Sequence, residues 1–118
     1  MRLEAKKYLY DIQQTAKLLA QFTAGKMFLD YQREPMLRFA VERGLAIIGE
    51  ALSRLAKLDA ALAARISEHR SIIAFRNILI HDYAEVDDRI VWDIVATELP
   101  LLLRQATDLL CGIEERPE

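Results

Sequence analysis

Between Pro35 and Leu58 the chain reads PMLRFAVERGLAIIGEALSRLAKL, in which apolar side chains recur at three- and four-residue spacings. That spacing is typical of a helix with one buried face. A proline is tolerated at the first helical position, because its missing N–H would have no partner there. We therefore predict a long helix from Pro35 to about Leu58. The positions predicted to be buried are Met36, Phe39, Ala40, Gly44, Ile47, Ile48, Ala51, Leu52 and Leu55.

A second amphipathic helix is predicted toward the amino terminus, from about Leu3 to Phe22. Residues 23–26 read TAGK and end it, with Gly25 as a left-handed cap. A short helical turn is predicted between Met27 and Arg33. The recurring apolar positions of the first helix are Leu9, Ile12, Ala16, Leu19 and Ala20.

Two further helices are predicted after the central one, each with a side chain that can cap its first turn. Asp59 can cap a short helix from Ala60 to Ile66, and Ser71 can cap the next helix. Both side chains carry oxygens that accept hydrogen bonds from the free N–H groups at a helix start.

The last predicted helix begins near Asp87 or Asp88, and Pro100 predicts a kink or a break within it. No segment alternates apolar and polar residues over a useful length, so no strand is predicted. The fold class that follows is all-α, an up-and-down bundle of four to five helices. We expect residues 1–118 to form a single domain.

Composition supports one helical domain of the cytoplasm. The chain has 118 residues, of which 53% are apolar and 29% charged. That size suffices for one core but not for two. No apolar run approaches the roughly 20 residues that a membrane helix needs, and no signal core follows the amino terminus. The lone Cys111 suits a reducing compartment, so we expect a cytoplasmic protein that does not insert into membranes.

The chemistry is concentrated in residues 76–83, which read RNILIHDY. Arg76 has a donor fork that fits phosphate oxygens, His81 can transfer protons near neutral pH, and Tyr83 carries a modifiable hydroxyl. A structural alternative exists for each residue. Arg76 could extend to solvent, His81 could cap a helix C-terminus, and Tyr83 could pack its ring in the core.

This octet matches the R-x4-H-x-Y signature of HEPN domains and resembles the HepT toxins that are paired with minimal nucleotidyltransferase antitoxins. Other segments resemble the same family in the same order along nearly the whole chain. These segments are residues 8–12 (YLYDI), 48–51 (IGEA), 86–87 (VD), 91–95 (VWDIV) and 98–102 (ELPLL).

The resemblance implies a HEPN-like bundle that forms a homodimer with a composite site. It also implies the toxin of a type VII-like toxin–antitoxin pair, acting as a metal-independent endoribonuclease and neutralised when the antitoxin transfers AMP to Tyr83. Helical spacing favours a dimer as well. Asn77 shares a face with His81, whereas Arg76 shares another with Tyr83, and a twofold axis could bring both sets into one cleft.

Residue types suggest how RNA would be cut. The 2′-hydroxyl of RNA can attack the adjacent phosphorus if His81 transfers protons and Arg76 stabilises the developing charge. Asn77 could orient the phosphate or His81, although a local helix hydrogen bond is an alternative. Glu50 could hold Arg76 through an ion pair, although it could also be a solvated helix charge.

Metal, cofactor and extended nucleic-acid sites are not indicated. The chain has two His and one Cys, with no ligand pair at metal-binding spacing, and no phosphate-binding glycine loop. We therefore expect neither a metal nor another cofactor. The net charge of −2 predicts a short RNA footprint, with Arg65, Arg70 and Arg76 as its cations.

Two alternative functions stay open. The first is a non-catalytic HEPN subunit of a nucleotidyltransferase complex that binds nucleotide or RNA, and the second is a helical dimer in which Arg76 and His81 are structural.

Overall fold

The computed structural model describes residues 2–82, 84 and 86–115, and the side chains of these residues up to 112. This described part is helical and contains no strand, which confirms the all-α fold class. The α-helices are α1 (Leu3–Thr23), α2 (Phe28–Arg33), α3 (Pro35–Leu58), α4 (Ala60–Ala63), α5 (His69–His81), α6 (Asp88–Asp93) and α7 (Leu99–Glu115). A π-helical segment, Ile94–Glu98, joins α6 to α7.

The bundle is organised around α1 and α3. Helix α1 packs against both α3 and α7, and α3 also packs against α5. The predicted stripe of α1 is confirmed except at Ala20, which is exposed. Gln13 of α1 donates a hydrogen bond to Thr107 of α7 at 3.0 Å and so links distant parts of the chain. None of the described helices has the length and hydropathy needed to cross a bilayer.

The prediction of which α3 residues are buried was wrong near the start of the helix. Met36 and Phe39 are 86% and 59% exposed, whereas Leu37, Val41 and Leu45 are buried. Both sets follow helical spacing, so the pattern alone did not decide which one faces the core. From Ile48 onward the predicted and observed core agree at Ile48, Ala51, Leu52 and Leu55. The misplaced residues leave apolar side chains on the surface of α3.

The predicted helix ends are mostly confirmed. Gly25 has a φ of 72°, as expected for a left-handed cap. Asp59 accepts a hydrogen bond from Leu62 N at 3.1 Å, although the helix that it caps is shorter than predicted. Asp87 accepts from Arg89 N at 2.8 Å. Side-chain oxygens thus complete the first turns of α4 and α6.

The start of α5 differs from the prediction, and the last helix is irregular near Pro100. Helix α5 begins at His69, before Ser71, and is preceded by Glu68 in a left-handed conformation. The hydroxyl of Ser71 donates to the Glu68 carboxylate at 3.2 Å and does not cap α5. Pro100, where a kink or a break was predicted, is the second residue of α7, and the π-helical segment directly before this helix interrupts the α-helical winding. The wider π turn accommodates a residue that has no N–H to donate.

Candidate functional site

The candidate site begins where α5 crosses α3 at Gly49. A methyl group at position 49 would collide with Cβ of Arg76, and it would lie 2.8 Å from Cγ of Arg76 and 3.3 Å from the carbonyl oxygen of Ile72. Glycine therefore allows α5 to lie directly on α3. The close approach places the aliphatic part of Arg76 on the backbone of α3.

The guanidinium of Arg76 is held by two side chains. It forms an ion pair with Oε1 of Glu50, and its Nη1 donates to Oδ1 of Asn77 at 2.8 Å. The side chain is only 22% exposed, and its Nε is buried without a hydrogen-bond partner among the described residues. Arg76 therefore does not extend freely into solvent. The structure brings three of the predicted site residues, Glu50, Arg76 and Asn77, into one cluster.

Glu50 connects this cluster to a second cation. Its Oε2 accepts from Nε of Arg54 at 3.0 Å, while Oε1 is paired with Arg76. The hydrogen bond from Arg54 and the positive charges of Arg76 and Arg54 lower the pKa of Glu50 below its ordinary 4.5, against an opposing effect of burial. Hydrogen bonds with Glu50 and then Tyr8 raise the pKa of Arg54. Glu50 is thus a carboxylate shared by two arginines.

His81 lies apart from this cluster. It is the last residue of α5 and is exposed. It follows Arg76 by five residues, so the two side chains leave the helix about 140° apart. Leu79 is buried, while Ile78 and Ile80 are 39% and 49% exposed. One copy of α5 therefore presents His81 on a partly apolar surface and holds Arg76 elsewhere. Tyr83 lies outside the described residues.

A groove of about 280 Å³ lies between α1 and α3, and its lining includes Glu50 and, from α5, Ile80. Its cations are Lys7, Arg43 and Arg54. None of these three was among the cations predicted to contact RNA, whereas Arg65 and Arg70 were, and neither of those two lines the groove. The helical spacing of Arg43, Glu50 and Arg54 was a usable signal, because it predicts one shared face of α3.

Metal-binding residues do not cluster in the described part of the chain: no three His, Cys, Asp or Glu side chains come together there.

Both the matching family model and the similar proteins are described as ribonucleases. The family model described as "Ribonuclease HepT-like" matches residues 12–109. A protein of Caldanaerobacter subterraneus subsp. tengcongensis, provisionally named as an RNase, is 34% identical over 87% of this chain and 91% of its own length. A Thermococcus cleftensis protein named "Probable ribonuclease HepT" is 35% identical over 86% of this chain and 92% of its own length. No solved structure matches the chain significantly.

Proposed function

Because the chain belongs to the HepT-like ribonuclease family, we propose that it is an endoribonuclease that cuts RNA without a metal ion. Family membership and the RNase names of its relatives support a ribonuclease in general. The observation that carries the proposal for this site is the anchoring of Arg76 by Glu50 on the helix that ends in His81. A fixed cation can stabilise the charge that develops on the phosphate, and an exposed imidazole can serve as the base or the acid of metal-free RNA cleavage.

In the proposed reaction the 2′-hydroxyl of one ribose attacks the adjacent phosphorus. One imidazole takes the proton of that hydroxyl, the bond from phosphorus to the 5′-oxygen breaks, and an acid returns a proton to the leaving oxygen. The products are a 2′,3′-cyclic phosphate and a free 5′-hydroxyl. Arg76 stabilises the charge on the phosphoryl oxygens in the transition state, and the acid–base steps are each worth roughly 10²–10⁴ in rate.

We also propose that the complete site needs two copies of the chain. Arg76 and His81 diverge on α5, so one helix aims them poorly at a single phosphate. The exposed Ile78 and Ile80 beside His81 provide apolar surface for a twofold contact. In such a dimer the two His81 side chains would divide the acid and base roles, and each Arg76 would be positioned by its own Glu50.

The proposed biological role is that of a cytoplasmic toxin, controlled by a nucleotidyltransferase antitoxin that transfers AMP to Tyr83. Tyr83 follows His81 by two residues, so a nucleotide on its hydroxyl would be close to the reacting phosphate. AMP adds about one negative charge and a large group, and like charges repel strongly in a partly desolvated cleft. Modification would block RNA without unfolding the protein.

Cleavage of labelled RNA tests the chemistry. We expect Arg76→Ala and His81→Ala each to lower the rate at least roughly 100-fold with helix content unchanged. Arg104→Ala, an exposed cation of α7, is the matched control and should retain activity. EDTA should have no effect, and the product should carry a cyclic phosphate. Cleavage retained by both site variants, or strict dependence on Mg²⁺, would refute the assignment. RNA binding without cleavage by the wild type would identify a non-catalytic HEPN subunit.

Assembly and control need separate measurements. Sedimentation should show a dimer at micromolar concentration, and charge placed at the apolar surface by Ile80→Glu should give monomers without activity.

Co-expression with the cognate nucleotidyltransferase should add AMP to Tyr83 and silence the protein. If the partner silences Tyr83→Phe as completely as the wild type, control by AMP transfer is wrong and the partner acts by binding alone.

A further inference from the structure

The groove between α1 and α3 is linked to the anchored Arg76 through Glu50. Glu50 is part of its wall and accepts from Arg54 on one carboxylate oxygen and from Arg76 on the other. Ile80 of α5, the residue before His81, is also part of the lining. A molecule in the groove would therefore lie beside the Glu50–Arg76 ion pair and against the helix that ends in His81.

The charge of the groove favours an anion. Lys7 and Arg43 are exposed on its walls and form no hydrogen bond or ion pair within the described part of the chain. The carboxylate of Glu50 is already paired with two arginines, which leaves Asp11 as the other acidic side chain of the lining. These two unpaired cations make the groove locally positive, although the protein as a whole has a net charge of −2.

The uncharged part of the lining suits a planar ring. Tyr8 packs against the core and also lines the groove, beside Ala46 and Ile47. An aromatic side chain next to cations is the usual arrangement for single-stranded nucleic acid, since bases stack on the ring while phosphates meet the charges.

We propose that this groove is a binding subsite for a nucleotide of single-stranded RNA that flanks the cleaved phosphate. Lys7 and Arg43 bind the RNA backbone, Tyr8 stacks against a base, and Asp11 accepts a hydrogen bond from a base amino group. This subsite rests on the proposed ribonuclease function and gives the position of the substrate strand next to the cleaved phosphate. It makes the footprint short, because the groove is small and has few free cations.

Binding of a short labelled oligoribonucleotide to the dimer of the His81→Ala protein tests the subsite without cleavage. In that background Lys7→Gln with Arg43→Gln should weaken binding at least roughly tenfold and lower the slope of log affinity against log salt by roughly 1.4, the value for two single-strand phosphate contacts. The matched control is Lys17→Gln with Arg104→Gln, which removes two exposed cations outside the groove. Its affinity and slope should stay close to those of His81→Ala alone.

The ring of Tyr8 is tested independently. Tyr8→Leu should weaken RNA binding roughly five- to 150-fold, the range for loss of one stacked base, whereas Tyr8→Phe keeps the ring and should keep most of the affinity. Melting temperature and far-UV circular dichroism check that both variants fold. The charge variants decide the result if Tyr8→Leu does not fold.

Three outcomes would overturn the subsite. They are no RNA binding by His81→Ala, equal losses in the groove and control pairs, or conversion of the dimer to monomers by the groove pair, which would make the groove an interface between copies. Cleavage by the wild-type protein is measured separately. If the wild type cleaves RNA while the groove pair binds and cleaves normally, the subsite fails and the ribonuclease proposal survives.

Discussion

Gly44 and Gly49 both lie in α3, five residues apart, and each allows a close contact with a different neighbour. A methyl group at position 44 would lie 2.5 Å from Cδ2 and 2.8 Å from Cγ of Leu19 in α1. At position 49 it would meet Cβ and Cγ of Arg76 in α5. Gly44 leaves room for the terminal carbons of Leu19, a core side chain. Gly49 leaves room for Cβ and Cγ of Arg76, a proposed catalytic side chain.

The consequence of adding a methyl group differs between the two contacts. The tip of Leu19 can rotate, and the core can adjust around it at a modest cost. Cβ of Arg76 is bonded directly to the backbone, so it moves only if α5 moves. One helix thus uses the same residue type for packing on one face and for placing a functional side chain on another.

The largest effect is expected for Gly49→Ala. Because α5 must shift away from α3, the Arg76 guanidinium leaves its position by about an ångström, and a misplacement of that size costs on the order of 100-fold in rate. RNA cleavage should fall by that factor, mainly in kcat. Far-UV circular dichroism should still show a folded helical protein. Activity within threefold of the wild type would mean that the crossing does not position Arg76.

A smaller loss is expected for Glu50→Gln, which keeps the shape of the side chain but removes its charge. Arg76 would lose its ion-pair partner, and we expect roughly tenfold slower cleavage. The free energy of unfolding should change by about 1 kcal/mol or less, because Glu50 is partly exposed and such pairs contribute little to stability. Urea unfolding and single-turnover kinetics separate the two effects. A stability loss with unchanged kinetics would assign Glu50 a purely structural role.

Gly44→Ala should affect stability rather than RNA cleavage, the opposite of Gly49→Ala. Overpacking against Leu19 costs about 1–3 kcal/mol, and alanine regains up to about 1 kcal/mol of helix propensity. We expect a net loss of about 1 kcal/mol in urea unfolding, with cleavage at 25 °C unchanged. A greater loss of activity than of stability would show that the two contacts of α3 are not independent.

The smallest effect concerns pH. The pKa of Glu50 is lowered in the folded protein, so its contribution to stability is complete above its ordinary pKa of 4.5 and is lost as pH falls through the folded value. The stability difference between wild type and Glu50→Gln should therefore shrink only below about pH 4.5. Urea titrations at several pH values measure it. A difference that is constant down to pH 3 would exclude this coupling.

The fold was more predictable from sequence than the site. Periodicity located the helices, because burial of one face leaves a repeating pattern whatever the neighbour is. The same pattern failed for Met36 and Phe39, where two apolar faces compete and only the packing partners decide. Pro100 predicted a kink or a break in the last helix, but the π turn that forms directly before it has no comparable signal in a single sequence.

The site residues were recognisable, but their connections were not. Arg76 and His81 stand out by residue type and spacing, and the pairing of Arg76 with Glu50 was one of two alternatives left open. Gly49 was noted only within residues 48–51, a segment that resembles the HepT family, and no contact was predicted for it. A glycine inside a helix costs about 1 kcal/mol relative to alanine and therefore suggests a close contact, but it does not identify the partner. The groove residues come from α1, α3 and α5, and helical periodicity does not show which helices lie side by side.

The hydrogen bond between Gln13 and Thr107 has a consequence for synthesis on the ribosome. Helices α1, α3 and α5 are translated first, so Arg76, Glu50 and His81 exist in the nascent chain before α7 does. Until α7 emerges, the side of α1 that it covers stays open, and exposed apolar surface of this kind favours aggregation. A chain that stops before Leu99 would thus carry the proposed catalytic residues while the side of α1 that α7 covers stays exposed. Premature termination is expected to yield insoluble or degraded fragments rather than a free nuclease.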